Sequence, residues 1–498
     1  MQEIPRKVYG LILIGFIVRI VIAASIHLGN DEVYYLLYGR FLSWNYFDHP
    51  PMIGWALWLS TAGSHLQNEI LYRLPGIIGT AVSTWLLFKT VTFISNPKAG
   101  WIAAILYQAS IYTSIIGGLF VMPDAVQLPF WLAAIYSGLI IVDNKSNASF
   151  RNKHLLLFSL FTGLAMLAKL HAVFLWGGLI GFIVFQQRQI LKNPMLWVGM
   201  MITALCMLPV LKWNIDNHFI TYTYHESRVT VQNGLHIDYF LRELLGGVIY
   251  QNPLVYIVFI VGLINIRKIE LSSPYKSLLV WFSLPLIGLL LTIALFRETL
   301  PHWSGPAFLP LMMLASIWLS QRTKKDFFQK LPVTALGLVC VFLTAAVLLI
   351  QFYPGTIGRT NEPTTLGEQD FTLDLYGWKS EGENIAHYLE KTQLNRYPMV
   401  CKDWFPAGHI DEYIARKANT YMVGIGSIID IHQYYWINNQ HANPKSLDTV
   451  LFINPTNYPR DAKEQFHEMY SSIQLDTVFT QLRMGKPARN FYIYKMGK

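Results

Sequence analysis

Long apolar runs broken by short polar interruptions set the pattern of the first 350 residues. A bilayer core of about 30 Å takes about twenty apolar residues in a helix. That window predicts spans near 8–27, 72–94, 99–117, 125–142, 154–169, 171–186, 195–213, 252–266, 276–296, 303–320 and 331–352, eleven crossings in all. The fifth and sixth nearly fuse, with Lys169 and His171 at the junction. After residue 352 the texture changes to a Pro/Gly/Thr linker, "YPGTIGRTNEPTTLGEQD", and then to ordinary polarity. There, short β-type runs (399–402, 421–424, 449–453 and 491–494) alternate with helical patterns such as "EGENIAHYLEKT" and "RDAKEQFHEMY". The pattern predicts two domains: a transmembrane helical domain over 1–352 and a soluble α/β domain over 353–498.

Between the spans, charge sets the orientation. One set of short loops carries Lys98, then Lys145, Arg151 and Lys153, then Arg188 and Lys192, then Arg267, Lys268 and Lys276, then Arg322, Lys324, Lys325 and Lys330. The alternate loops hold no such basic cluster, so the positive-inside rule makes the first set and the amino terminus cytoplasmic. The opening stretch, the long 214–251 loop and the tail then lie on the extracytoplasmic face. Composition agrees with a membrane protein: 53% of residues are hydrophobic and 14% charged, against about 25% charged in soluble domains. The formal charge of +9 is scattered through the loops, which excludes a nucleic-acid footprint. The first apolar run, flanked by Arg6 and Lys7, has the outline of a signal peptide, but Arg19 interrupts it and it reads as a retained first helix. Cys206 and Cys340 fall in apolar spans and Cys401 in the tail, and the histidines show no HxxxH or HxH pairing. Ligand spacing therefore gives no support for a metal or other cofactor, and leaves a divalent metal open only through Asp31, Asp124 and distant ligands. No Walker loop, dinucleotide fingerprint or internal repeat is present.

Chemistry concentrates on one face. The first outer stretch, "NDEVYYLLYGRFLSWNYFDHPPMIGW" at 30–55, opens with Asp31 and Glu32 and closes on a rigid Pro50–Pro51 bend beside Asp48 and His49. Its amphipathic pieces suit the headgroup layer. Two acidic residues at the start of a surface helix also favour its positive end by about 0.3–1 kcal/mol, and that simpler role stays open. Asp124 stands at the outer end of the fourth span, where it too could cap. Lys169 and His171 sit at comparable depth, and a lysine there is costly unless paired or functional. His225, Glu226 and Arg228 follow in the long loop, and Arg297, Glu298, His302 and Trp303 lie between the ninth and tenth spans. Carboxylates opposed by Lys and Arg at a bilayer surface suit transfer of a group from a lipid phosphate. The cations stabilise the departing phosphate while a carboxylate, ordinarily ionised at neutral pH, takes a proton from an incoming hydroxyl.

Five segments in order, "NDEVYYLLYGRFLSWNYFDHPPMIGW", "MPDAVQLPFW", "GLAMLAKLHAVFL", "PVLKWNIDNHFITYTYHESRV" and "HWSGPAFLPL", resemble the bacterial branch of the protein O-mannosyltransferase-like membrane glycosyltransferases. These have the GT-C fold, and the lipid A aminoarabinose transferases are relatives. The resemblance runs from the first span to about residue 350. It implies a polyprenyl-phosphate-linked sugar donor, extracytoplasmic transfer to a glycan, lipid or protein hydroxyl, and inversion at the anomeric carbon. Asp31 resembles the family's first-loop acid and hence the general base, with Glu32 beside it; Asp124 resembles the supporting second acid. Lys169 and Arg228 are implied as ligands of the donor phosphate. His49, His171, Arg297 and His302 are implied as cavity-lining groups, and Tyr34 and Tyr35 as contacts to sugar or headgroup, although an aromatic interfacial belt explains the tyrosines equally well. The tail, with "MVCKDWFPAGHIDEYIARK" and "HQYYWIN", resembles the soluble extracytoplasmic tails of bacterial relatives, with acceptor docking or lid stability as its expected use. Trp404, Tyr434, Tyr435 and Trp436 are read first as its core.

Two other functions compete. A flippase or transporter for lipid-linked sugars would also place charge in the membrane, but with repeats and broken helices near the midplane. A ligase or polymerase shares the large outer loop, though typically with a diphosphate carrier.

Overall fold

The computed structural model describes residues 3–230, 234–323, 325–441 and 443–498; Lys324 of the basic loops lies outside the described residues. Helix α1 (Glu3–Ser25) is followed in the first outer stretch by α2 (Asn30–Arg40) and α3 (Met52–Ser60), then by α4 (Glu69–Ile94) and α5 (Pro97–Ala109). Next come α6 (Pro123–Val142), α7 (Ala148–Ala168), α8 (Val173–Gln186) and α9 (Pro194–Asp216). The long loop holds α10 (Ile220–Val229) and α11 (Ile237–Tyr250), and α12 (Pro253–Ile264), α13 (Ser273–Ala294), α14 (Phe308–Ser320) and α15 (Leu331–Phe352) complete the helical region.

Every predicted window holds a helix, but length and composition do not support eleven independent crossings. Among the described residues six helices suffice to cross a bilayer, α1, α4, α6, α9, α13 and α15, with a seventh crossing if α11 and α12, bent by 103°, form one. The others fall short for local reasons. The third window ends early because α5 stops at Ala109 and gives way to a π-helical turn, Tyr112–Ile116, a departure that in helical proteins often marks a functional site. The fifth and sixth windows separate because Lys169 adopts an extended backbone (φ −157°, ψ 124°) between α7 and a 3₁₀ turn.

By internal packing the chain forms two units. One comprises Met1–Val21, Leu42–Leu66 and Ile70–Phe342; the other comprises Ile22–Phe41, Gln67–Glu69 and Leu343–Lys498. Helix α2, with Asp31, belongs to the same unit as the tail.

In the first unit α6 lies along α7, α7 along α9, α5 against α14 and α8 against α13, while α3 packs on α6 and α7. Phe158 ties these layers together, edge-on to Trp176 at 5.1 Å and stacked on Phe282 at 6.1 Å. Arg19, the charge inside the first span, is 6% exposed and is satisfied by backbone: its Nε donates to the Ser114 carbonyl at 3.3 Å and its guanidinium to the Gly15 carbonyl at 3.0 Å. Such donation offsets the desolvation of a buried cation.

The second unit is built on a five-stranded sheet of β1 (Met399–Cys401), β2 (Met422–Gly424), β3 (Thr449–Pro455), β4 (Ser472–Arg483) and β5 (Lys486–Gly497), in the order β2-β1-β3-β5-β4. β1 runs parallel to β2 and β3, and β5 antiparallel to β3 and β4. The β4–β5 hairpin turns on Met484 (φ 49°) and Gly485 (φ 76°); two left-handed residues match the twist of the strands. The periodicity reading omits β4, an edge strand with mostly exposed side chains and hence no clean alternation. Val400, Val423, Val450, Phe452 and Phe466 form one core cluster. Between sheet and linker, Arg483 and Asp370 form an ion pair at 3.0 Å with both side chains fully buried.

Candidate functional site

The first unit converges on Asp124. Pro123 opens α6 with Asp124 in its first turn, the position where proline and an acid suit a helix start. The carboxylate nevertheless turns to other side chains. Asp124 Oδ1 accepts from the Tyr112 hydroxyl at 2.7 Å, and Lys169 Nζ donates to Oδ1 at 3.2 Å and to Oδ2 at 2.9 Å. Asp124 is 0% and Lys169 7% exposed, so each ion depends on the other. Local structure places both partners. The π-helical turn presents Tyr112, whose ring lies so close to Gly305 that a Cβ there would come within 2.5 Å of ring atoms. Gln127, one turn along α6, donates to the carbonyls of Lys169 (2.9 Å) and Ala165 (3.2 Å) and so stabilises the break that releases the lysine.

Around this pair stand imidazoles and one guanidinium. The charges of Asp124 and Lys169 act on His49, His171 and His302. The His171 ring lies 5.7 Å from that of Trp131, and His171 Nε2, Trp131 Nε1 and Gln127 Oε1 are buried with no hydrogen-bond partner among the described residues. The His-Pro-Pro bend is tied to α10: Asn45 Nδ2 donates to Thr221 Oγ1 at 2.9 Å, that hydroxyl donates to the Tyr46 carbonyl at 3.0 Å, and His225 Nε2 donates to the Asp48 carbonyl at 2.6 Å. Arg228, on the same helix, lies over Trp303 at 5.1 Å and Tyr224 at 5.5 Å, and its charge reaches His302 and His225.

Burial, reinforced by the Lys169 charge, holds the His302 imidazole down at about 4, and burial does the same for His49 in spite of Asp48. Both rings are neutral at pH 7, leaving Lys169 and Arg228 as the cations of the group. An unfolded histidine titrates near 6.5, so between that pH and about 4 the unfolded chain binds more protons than the folded one. Stability therefore falls as pH drops through this window and is fully present above it. The unfolding temperature of the detergent-purified protein is expected to decline from pH 6.5 to 4.5, and His302→Gln is expected to flatten that slope.

Seven of the predicted site residues thus lie in the first unit: Asp124, Lys169, His49, His171, His302, Arg228 and Arg297. Arg297 sits half-buried just after α13, while its neighbour Glu298 pairs with Arg242 on the exposed surface. Asp31, Glu32, Tyr34 and Tyr35 belong to the second unit. Glu32 is a helix cap: 2% exposed, it accepts from the Gly29 backbone N–H at 2.8 Å, which is half of a capping box. Asp31, the preceding residue, is exposed. Tyr34 and Tyr35 are buried instead of forming a belt at the membrane surface; Tyr34 packs against Trp404 at 5.0 Å and His432 at 5.7 Å. Tyr434 is likewise buried, whereas Tyr435 is 48% exposed. Tyr112 and Gln127 escape sequence reading because a tyrosine or glutamine in an apolar span carries no spacing signal. Among the described residues no group of three or more His, Cys, Asp or Glu is arranged to hold a metal ion.

Residues 48–213 match the model of the dolichyl-phosphate-mannose-protein mannosyltransferase family. Over 321 residues, 62% of its length, the chain is 23% identical to the lipid A galacturonosyltransferase RgtD of Rhizobium johnstonii and spans 64% of that relative. Its fold superposes on crystal structures of ArnT from Cupriavidus metallidurans. The apo form gives a TM-score of 0.67 at 12% identity and the form bound to undecaprenyl phosphate 0.68 at 13%, each covering 98% of both chains. The likeness to ArnT covers nearly the whole chain and shows a shared fold, that of a multi-pass membrane protein. The matched family model and the lipid A galacturonosyltransferase are each similar to part of the chain.

Proposed function

We propose that this protein transfers one sugar from an undecaprenyl-phosphate-type carrier to lipid A or a closely related envelope glycolipid on the extracytoplasmic face, with inversion. The acceptor hydroxyl attacks the anomeric carbon as the carbon–oxygen bond to the carrier phosphate breaks. The hydroxyl proton passes to Asp31, and the released phosphate keeps the bonding pair. Lys169 and Arg228 offset its charge, and no metal is assigned a part. A lysine ammonium carries three donors, so one paired with Asp124 retains capacity for a phosphate oxygen. Asp124 and Tyr112 hold it ready, which is the preorganisation that makes such contacts effective in a water-poor site.

The observation that carries this reading is the buried Asp124–Lys169 pair, with Tyr112 on the acid and neutral imidazoles around it. A transporter has no need of a lysine locked against a carboxylate beside orphaned polar groups that a sugar headgroup would satisfy. The likeness to a structure titled with undecaprenyl phosphate and to a relative named for galacturonosyl transfer to lipid A supports the donor and acceptor classes. The test incubates the purified enzyme in nanodiscs with lipid A and, in turn, polyprenyl phosphates bearing galacturonic acid, 4-amino-4-deoxyarabinose or mannose. One donor is expected to add its sugar mass to lipid A and release free carrier phosphate in equal amount. Sugar-lipid crossing the bilayer without transfer would put a flippase in its place, and no product with any donor would overturn the lipid A reading.

A further inference from the structure

Helix α2 begins without the usual device. Its N-cap is Gly29, which has no side chain to accept from the first turn. The residues leading into it are instead bound by the C-terminal part of the second unit. His27 N donates to the Leu375 carbonyl at 2.9 Å and Leu28 N to the Tyr413 hydroxyl at 3.1 Å. His409 Nε2 is shared between the carbonyls of Leu28 at 2.9 Å and Asp374 at 3.2 Å. Asn30 Nδ2 then donates to Asp374 Oδ2 at 3.1 Å, and the Tyr458 hydroxyl donates to the same carboxylate, 2.8 and 2.9 Å from its two oxygens. Asp31 is the next residue.

Together these tail residues hold the start of α2. A general base must come within hydrogen-bond reach of the proton it takes, and an error of about 1 Å in such a group costs on the order of 100-fold in rate. We propose that the C-terminal domain acts as a clamp that positions the Asp31 carboxylate, with Asp374 and Tyr458 as its positioning residues and Asn30 as the side chain they grip. This rests on the assignment of Asp31 as base and gives the soluble domain a catalytic purpose separate from acceptor docking.

The clamp carries a signature. Burial pushes the Asp374 carboxyl up to about 6, the nearby Asp370 charge adding to this, while hydrogen bonds from Tyr458 and Asn30 and the Arg489 charge pull the other way. His409, on the adjoining α17 (Trp404–Ile410), is held down at about 3 by burial and stays neutral. A protonated Asp374 loses acceptor capacity for Asn30, so turnover is expected to fall with an acid limb near pH 6.

The experiment compares Asp374→Asn, Asn30→Ala and Asp31→Asn with the wild-type full-length enzyme, using lipid A and the polyprenyl-phosphate sugar active in the donor panel. Asp374→Asn is expected to lower kcat about 10- to 100-fold, with donor KM changed less than about threefold, and to abolish the limb near pH 6. Asn30→Ala, at a partly exposed site, is expected to reproduce the kcat loss with the unfolding temperature unchanged, which separates positioning from folding. If Asp31→Asn is inactive while both clamp variants fold and keep wild-type kcat and acid limb, the clamp is wrong and the base assignment stands. If Asp31→Asn is active, the base assignment fails and the clamp falls with it.

Discussion

Lys169→Met is expected to cost both the fold and the reaction, and a second substitution separates the two. Removing the ammonium leaves Asp124 at 0% exposure with the Tyr112 hydroxyl but no cation. Breaking a buried ion pair from one side costs about 3–5 kcal/mol, enough to lower the unfolding temperature markedly. Asp124→Asn combined with Lys169→Met removes both charges, and replacing a buried pair with neutral groups is close to neutral for stability. The double variant should therefore fold. It should not recover activity, because the positive charge proposed to stabilise the departing phosphate is gone; loss of one such contact typically costs about 100- to 1,000-fold in kcat. Donor-side kcat/KM should fall more than the acceptor KM changes. Unfolding temperature and steady-state kinetics on the double variant check this, and wild-type turnover would remove Lys169 from the phosphate role.

Asp31→Asn is expected to abolish transfer with little effect on stability. The residue is exposed and sits in the first turn of α2 beside the Glu32 cap, where the charge favours the helix dipole by about 0.3–1 kcal/mol. An amide keeps the shape but accepts no proton. Loss of a general base costs about 100- to 10,000-fold, and donor binding should survive. Single-turnover transfer and separate binding of the carrier lipid test this, and full activity in the variant would take the base role from Asp31.

Charge-bearing site residues were easier to recognise in the sequence than neutral ones. Asp124 and Lys169 stood out because an ion at the end of an apolar run demands an explanation, and the ion pair supplies it. Tyr112 and Gln127 had no such mark, since neutral polar groups in a span look like ordinary packing until their partners are seen. Glu32 was legible only as half of an acidic pair, and the geometry separates the two: Glu32 reaches back to Gly29 while Asp31 stays exposed. The missed strand β4 follows the same logic, because an exposed edge strand need not alternate.

Hydrophobic periodicity by itself determined the helical membrane region, the change of texture after residue 352, and the separation of basic from mixed-charge loops, because each is written in residues close along the chain. Only the tertiary structure decided that α2 packs with the tail, that Lys169 is extended and not helical, and that Tyr112 serves Asp124. Those outcomes depend on contacts between residues tens to hundreds apart, such as Asn30 with Asp374 and Asp124 with Lys169. Local pattern carries no information about which distant polar group will satisfy a buried one.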